Sequence, residues 1–367
     1  MMSRHLFILK VPPQGAPQIQ IQDGGFGAFL PLFSPSVTPS PLPSPIVRQN
    51  LFQRLRTRTA MLARGGLNAN NELQVGLLPQ PGWSRRNYHF MRRILLPSLW
   101  KKRGGEAQQP DLTHPECPGK FQVTWIGHAS FLIQTGGINI LVDPNWAHWL
   151  TVVKRLRHPG MSLTHLPRID VVLITHAHHD HLHMRTLRRI SHGQPIVVPH
   201  GVGKLVSRAG FGQVIEMERW QELEIAGLRI TFTPSKHWGA RHIHDVHRGF
   251  GGFLIKNHHG RTVYHCGDSA YFEGFAEIGA HSSIDLALLP IGAYEAMSGR
   301  EVHMNPEEAL AAFRDLGATH MAPMHYGTFP LGGEPVHEPL IRFKEGALSL
   351  GYENQISILT EGAPCVF

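Results

Sequence analysis

The sequence predicts an α/β domain in which two sheets are layered with helices, preceded by an irregular basic extension. Three observations predict it. The 367 residues are 42% hydrophobic and 17% charged, enough apolar material for a sizeable core, which excludes wholesale disorder. From about residue 120 onward, short β-rich runs alternate with helical stretches, the pattern of a layered domain. The positive charge is segregated: residues 1–110 hold 14 Lys/Arg against 3 Asp/Glu, whereas residues 111–367 hold 21 against 24. That asymmetry points to contact with an anionic surface, membrane or nucleic acid, or to a solvated basic extension. No run of 18 apolar residues occurs, so no transmembrane helix is expected. Cys117, Cys266 and Cys365 are too few and too far apart for a disulfide framework or a Cys-based zinc site.

In chain order, the first ten residues carry an apolar run of only four before Lys10 and Pro12-Pro13, so no secretory signal is read there and a cytoplasmic or peripheral-membrane location is expected. Prolines 35, 39, 41, 43 and 45 among serines make residues 1–48 a Pro-rich arm, expected to be disordered. Residues 49–119 are read as a basic extension that packs on the core or on a membrane. Within it, Arg85 to Arg103 mixes Tyr88, Phe90, Met91, Leu96 and Trp100 with seven Lys/Arg, as interfacial helices do. A segment packed on the main domain with basic edges has the same composition. Pro97 should leave any helix there kinked or short.

Residues 120–367 form the main domain. Phe121–Ile126, Phe131–Gln134 and Ile138–Val142, split by glycines, read as a meander. Further strands are expected at 169–174, 196–198, 228–232, 252–255, 262–265, 284–289 and 319–322. Helices are expected at about 182–190, 202–208, 306–316 and 337–348. Asn305 followed by Pro306, Glu307 and Glu308 is a strong helix start.

Histidine is the anomaly of the composition, with 26 residues against 27 Asp and Glu together. The decisive segment is Thr175-His176-Ala177-His178-His179-Asp180-His181, directly after the apolar strand 169–174. A loop at a strand end can turn several side chains toward one point. Imidazole and carboxylate are the ligands expected for zinc and its transition-metal neighbours. Later segments repeat the theme singly: Ser235-Lys236-His237-Trp238, Cys266-Gly267-Asp268-Ser269 and Met324-His325-Tyr326-Gly327. Between them lie Pro290-Ile291-Gly292-Ala293-Tyr294-Glu295 and His303-Met304-Asn305-Pro306, and upstream stand Gly127-His128-Ala129-Ser130 and Asp143-Pro144.

The His-x-His-x-Asp-His segment resembles the hallmark of the metallo-β-lactamase fold, an αββα sandwich with metals at one edge. The ordered set over about residues 83–345 resembles the N-acyl-phosphatidylethanolamine-hydrolysing phospholipase D branch of that fold, whose bacterial members include the RomA-type proteins. Carried over residue by residue, the resemblance implies two zinc ions per chain. His176, His178 and His237 would hold one, Asp180, His181 and His325 the other, and Asp268 would bridge them. Asp143 and His128 would support the ligands from behind. His303 would contact the substrate phosphate, and His179 stands where the mammalian enzymes have Tyr at a substrate-touching position. His183, His242, His244, His247, His258 and His259 match nothing in the family and read as surface residues, and Cys266 reads as a small buried one.

The reaction expected is hydrolysis of a phosphodiester, most of all an N-acyl-phosphatidylethanolamine-type phospholipid, by a hydroxide bridging two zinc ions, with Asp180 and His303 as the catalytic candidates. A lactonase or small-molecule phosphodiesterase of the same fold is the alternative. A nuclease is disfavoured because no ordered basic–aromatic platform is seen, and no protein partner is implied. A non-enzymatic, envelope-associated protein affecting outer-membrane composition or drug resistance is a further alternative, suggested only by the family name and by the terminal Phe367. A membrane barrel is excluded, because the strands are apolar runs broken by helices.

Overall fold

The structure is a computed structural model and describes residues 80–115, 119–241 and 247–367. The Pro-rich arm, the basic stretch up to residue 79, Cys117, His242 and His244 lie outside the described residues.

The described chain opens on helix α1 (Trp83–Phe90), a π-type turn (Met91–Leu95) and helix α2 (Leu96–Trp100). Pro97, in the first turn of α2, has no N–H, and its ring would clash with the carbonyl four residues back. The widened turn before it accommodates both defects. This segment packs on the core: Lys154 Nζ donates to the carbonyls of Leu99 and Lys101 at 2.8 and 2.7 Å. Trp83, Tyr88, Met91, Leu96 and Trp100 stay exposed.

The first strands are β1 (Gln122–Gly127), β2 (Ser130–Thr135), β3 (Ile138–Val142), the short hairpin β4 (Trp149–Leu150) and β5 (Val153–Lys154), and β6 (Val171–Leu173). Helix α3 (Met184–Ile190), β7 (Pro195–Pro199), helix α4 (Gly203–Val206), β8 (Gln213–Met217), β9 (Glu222–Ile225) and β10 (Leu228–Thr233) follow. Then come β11 (Gly252–Lys256), β12 (Thr262–His265), α5 (Gly274–His281), β13 (Leu286–Pro290), α6 (Pro306–Leu316), β14 (His320–Met324), α7 (Glu338–Leu350) and β15 (Pro364–Val366).

Among the described residues these strands form two large sheets, ordered β15-β1-β2-β3-β6-β7-β8 and β14-β13-β12-β11-β10-β9. Each has an antiparallel half and a parallel half. The two-residue period of a strand sorts side chains between layers. Phe131 and Ile133 of β2, with Val171 and Leu173 of β6, enter the core between the sheets, together with Phe232, Phe253 and Leu288 of the second sheet. Leu132, Leu141, Val172 and Ile174 point the other way and meet Leu187, Ile190 and Val206 of α3 and α4. Helices α5, α6 and α7 cover the second sheet through Phe275, Ile278, Leu310, Phe313 and Phe343. The result is the αββα sandwich that the sequence predicts. Among the described residues no helix is long and apolar enough to cross a membrane.

Several elements escape the sequence. Strands β8 and β9 are sheet margins with half-polar alternation, and β15 takes its pairing from β1, locking Phe367 against Phe121 by two backbone hydrogen bonds. Helix α5 buries only Phe275 and Ile278, too few apolar positions to announce it. His183 is half-buried, its Nδ1 bonded to Thr186 Oγ1 at 2.7 Å at the start of α3, whereas His247, His258 and His259 are exposed as read. Cys266 is buried, which lifts its thiol to about 12.

Helix α6 starts on a capping box. Asn305 Oδ1 accepts from Glu308 N at 2.8 Å and Glu308 Oε2 accepts from Asn305 N at 2.9 Å. Asn305→Ala should lower stability by about 1 kcal/mol, seen as a lower denaturation midpoint with an unchanged denaturant slope.

Candidate metal centre

Both sheets end on the same edge. His128 follows β1, Asp143 follows β3, the 176–181 loop follows β6, His237 follows β10, Asp268 follows β12 and His325 follows β14. All therefore leave the carboxyl ends of strands, where loops are free to converge. Three of the turns are tight: His128, Asp143 and His325 have φ of 58°, 44° and 62°, a region unfavourable for residues with a Cβ and often found at functional sites.

The convergence produces two ligand groups that touch. His176, His178, His237 and Asp268 form one, and His128, Asp180, His181 and His325 form the other. In the first, His178 Nδ1 lies 2.9 Å from His176 Nε2 and 3.3 Å from His237 Nε2. Asp268 Oδ2 lies 3.5 and 3.8 Å from those same Nε2 atoms. These spacings bracket the edge, roughly 3.3 Å, of a tetrahedron around a cation bonded at about 2.0 Å. In the second group Asp180 Oδ2 is 3.6 Å from Nε2 of both His181 and His325. Asp268 joins the two: Oδ2 also reaches His181 Nε2 at 3.1 Å, and Oδ1 reaches His325 Nε2 at 3.2 Å.

Most of the metal-facing atoms are fixed by what the rest of the ring bonds. Asp143, fully buried, accepts from Thr175 N at 2.8 Å and Thr175 Oγ1 at 2.6 Å, and pairs with His181 Nδ1 at 2.7 Å. His237 Nδ1 faces the Val302 carbonyl at 2.8 Å, and His176 Nδ1 faces Thr175 Oγ1 at 3.0 Å. Each arrangement leaves Nε2 pointing inward. His128 Nε2 bonds Asp180 Oδ2 at 2.9 Å, and its carbonyl accepts from His325 N at 3.1 Å. His303 is partly buried, with Nδ1 3.9 Å from Asp268 Oδ2. His179 is exposed and its Nδ1 bonds Arg241 Nη2 at 2.9 Å. All seven expected ligands, His128, Asp143 and His303 thus meet in one place, with His179 at the rim.

Charge follows burial. Burial drives His128 down to about 3, with His325 adding to the effect, and drives His178 and His303 to about 4. His176 and His237 are lowered in the same way. Burial also opposes ionisation of Asp180 and Asp268, but the neighbouring imidazoles, His181 foremost, hold both well below the usual carboxylate range. Against the burial penalty, Asp268 and its fellow carboxylates raise His181 well above its ordinary value and His325 to about 9.

The donor set fits transition-metal binding. Both Asp268 oxygens, His181 Nε2 and His325 Nε2 are buried without a hydrogen-bond partner. Buried polar atoms seldom stay unpartnered, so inward-facing lone pairs of this kind mark a cation site. Nitrogen and carboxylate oxygen without thiolate suit zinc, manganese or iron.

Other supports carried no sequence signal. Asn145 Nδ2 donates to the Asp180 carbonyl at 2.7 Å. Its own carbonyl accepts from Arg155 Nη1 at 3.0 Å. Arg155 is fully buried, donates also to the carbonyls of Arg157 and Ile126, and lies over the Phe329 ring. Gly127, φ 116°, is required beside it, since a Cβ there would sit 2.6 Å from Nη2. Thr175 could have been picked out by its place next to His176. Arg155 lies far from every motif.

The chain belongs to the β-lactamase superfamily: residues 138–326 match the β-lactamase superfamily domain. It is 33% identical to a UPF0173 metal-dependent hydrolase of Rubrobacter xylanophilus over 67% of this chain and 97% of that one. An uncharacterised protein of Mycobacterium tuberculosis is 35% identical over 62% of this chain, and the chain spans only 64% of that relative's length. The mitochondrial N-acyl-phosphatidylethanolamine-hydrolysing phospholipase D of Saccharomyces cerevisiae is 31% identical over 61% of this chain and 51% of its own length. A solved metallo hydrolase of Ignicoccus hospitalis superposes with a TM-score of 0.53 at 28% identity, covering 68% of this chain and 98% of that one.

Arg155→Met should leave the buried Asn145 carbonyl without a donor, while the Ile126 carbonyl keeps Gly160 N, at a cost of about 1–3 kcal/mol for the unsatisfied group. The expected outcome is a loss of that size in denaturant unfolding, with the metal edge loosened.

Proposed function

We propose that this chain is a phosphodiesterase of the phospholipase D type, acting on an N-acyl-phosphatidylethanolamine-type phospholipid at a dinuclear zinc centre. The observation that carries the reading is the meeting of the two ligand groups at Asp268, with the partly buried His303 beside Asp268 and His325. His176, His178 and His237 would hold one ion, Asp180, His181 and His325 the other, and Asp268 would span both. Bound there, the ions would lower the pKa of water toward neutrality and polarise a phosphoryl oxygen.

The chain's own residues would do the rest. Asp143 fixes the His181 ring through Nδ1, and the Val302 carbonyl fixes His237. His128 orients Asp180. His303, held neutral by burial, keeps one ring N–H to donate to a phosphoryl oxygen and so position the phosphate. The lipid part of the reading is supported by the similarity to the yeast enzyme and by the α1–α2 face. That face exposes Trp83, Tyr88, Met91, Leu96 and Trp100 among basic residues, with no Asp or Glu between Glu72 and Glu106. Apolar anchors ringed by cations suit an anionic bilayer. No nucleic-acid partner is invoked.

Metal analysis tests the centre directly. Wild type should carry two equivalents and Asp268→Ala one or fewer, while a metal-free wild type after reconstitution defeats the assignment. Activity tests the substrate. Metal-replete protein should release an N-acylethanolamine from N-acyl-phosphatidylethanolamine vesicles, and His303→Ala should cut kcat/KM about 100-fold at unchanged metal content. Trp100→Glu should slow vesicle hydrolysis alone; equal loss on a soluble phosphodiester would favour a small-molecule substrate.

A further inference from the structure

A groove of about 650 Å³ runs between the segment after α2, the 326–337 loop, helix α7 and the chain leading to β15. Its floor is aliphatic, built from Leu156, Leu340, Ile341, Ile358 and Leu359. Two of these are open to solvent, Ile341 at 49% and Ile358 at 37% exposure. Its rim is cationic: Lys101, Lys102, Arg157 and Lys344, with His337 beside them. Among the described residues the lining holds one acid, Glu361, which is buried and already paired with Arg157. The remaining lysines therefore face a groove with no anion of its own.

Size and polarity together select the occupant. The volume lies in the range of small-ligand sites, and such sites are mostly apolar with a few placed polar groups. Apart from the Glu361–Arg157 pair, the charged groups here are all cationic, so an aliphatic tail would lie on the floor and one anionic head would meet the lysines. None of the metal-centre ligands lines the groove, although Tyr326 and Gly327, which do, directly follow His325. An occupant would thus touch the loop carrying that ligand without entering the centre.

We propose that this groove is a separate binding site for a single-chain amphiphile with an anionic head, a long-chain fatty acid anion or a lysophosphatidate. The site needs neither the metal ions nor the reaction proposed above, so it stands or falls without them.

Calorimetric titration of the full chain, metal-loaded and chelated, tests it with oleate, oleoyl-lysophosphatidate and the uncharged oleyl alcohol, all below their aggregation limits. At least one anionic lipid should bind saturably at one per chain in both metal states, and whichever binds more tightly names the head group. Oleyl alcohol should bind about tenfold more weakly or worse, as should the anionic lipid to Ile341→Glu and Lys344→Glu. Both substitutions lie on the exposed side of α7, and Lys344→Glu keeps the test valid should Ile341→Glu unfold. Absence of saturable binding by either anion, as when a segment of this chain or a second copy fills the groove, overturns the proposal. So does equal binding of oleyl alcohol, or undiminished binding by folded variants.

Discussion

The structure depends on how one buried carboxylate is compensated. Asp268 is 2% exposed, and its oxygens lie 3.1 and 3.2 Å from His181 Nε2 and His325 Nε2. A carboxylate in that position would ordinarily protonate, because desolvation penalises its charge. The surrounding imidazoles prevent this, and the same carboxylates keep His181 and His325 charged. Imidazole ligands bind a cation through an unprotonated nitrogen, so a metal held at this edge would be favoured as the pH rises.

Compensation at short range demands accurate placement, and the fold supplies it through strand ends. The parallel half of each sheet holds its strands in register across the layer: Asp143 N reaches the Leu173 carbonyl, Cys266 N that of Leu288, and Ile291 N that of Met324. Each loop therefore starts from a fixed height. The left-handed conformations at His128, Asp143 and His325 then turn the chain within one residue, and each is held by specific bonds. Thr328 Oγ1 holds His128 N, Thr175 holds Asp143, and the His128 carbonyl holds His325 N. Local strain of about 1–3 kcal/mol per such residue is tolerated because the surrounding hydrogen bonds leave no alternative.

The sequence was legible where chemistry and periodicity coincide. The 176–181 loop declares itself because four metal-type ligands follow an apolar strand, and the central strands declare themselves as apolar runs. His237, Asp268 and His325 are single residues after strands. Only the resemblance to a known ordered pattern separated them from surface residues, although the structure brings them into one cluster. Asn145 and Arg155 were invisible for a related reason. Their partners are main-chain carbonyls brought near by tertiary packing, and no side-chain pattern encodes that. The sheet margins β8, β9 and β15 were missed because a strand buried on one side only, or paired by a distant segment, carries a weak local signature.

The same logic ties the basic extension to the metal edge. Arg86 of α1 donates through Nε to the Met297 carbonyl and through Nη2 to that of Ser298, at 3.1 Å each. Those residues belong to the loop that continues through Val302, whose carbonyl fixes His237, to His303 and the capping box at Asn305. One loop is therefore held at its beginning by the exposed apolar and basic segment, in its middle by a candidate ligand, and at its end by the start of α6. The described part of the extension is thus bonded to the loop that also fixes His237 and carries His303.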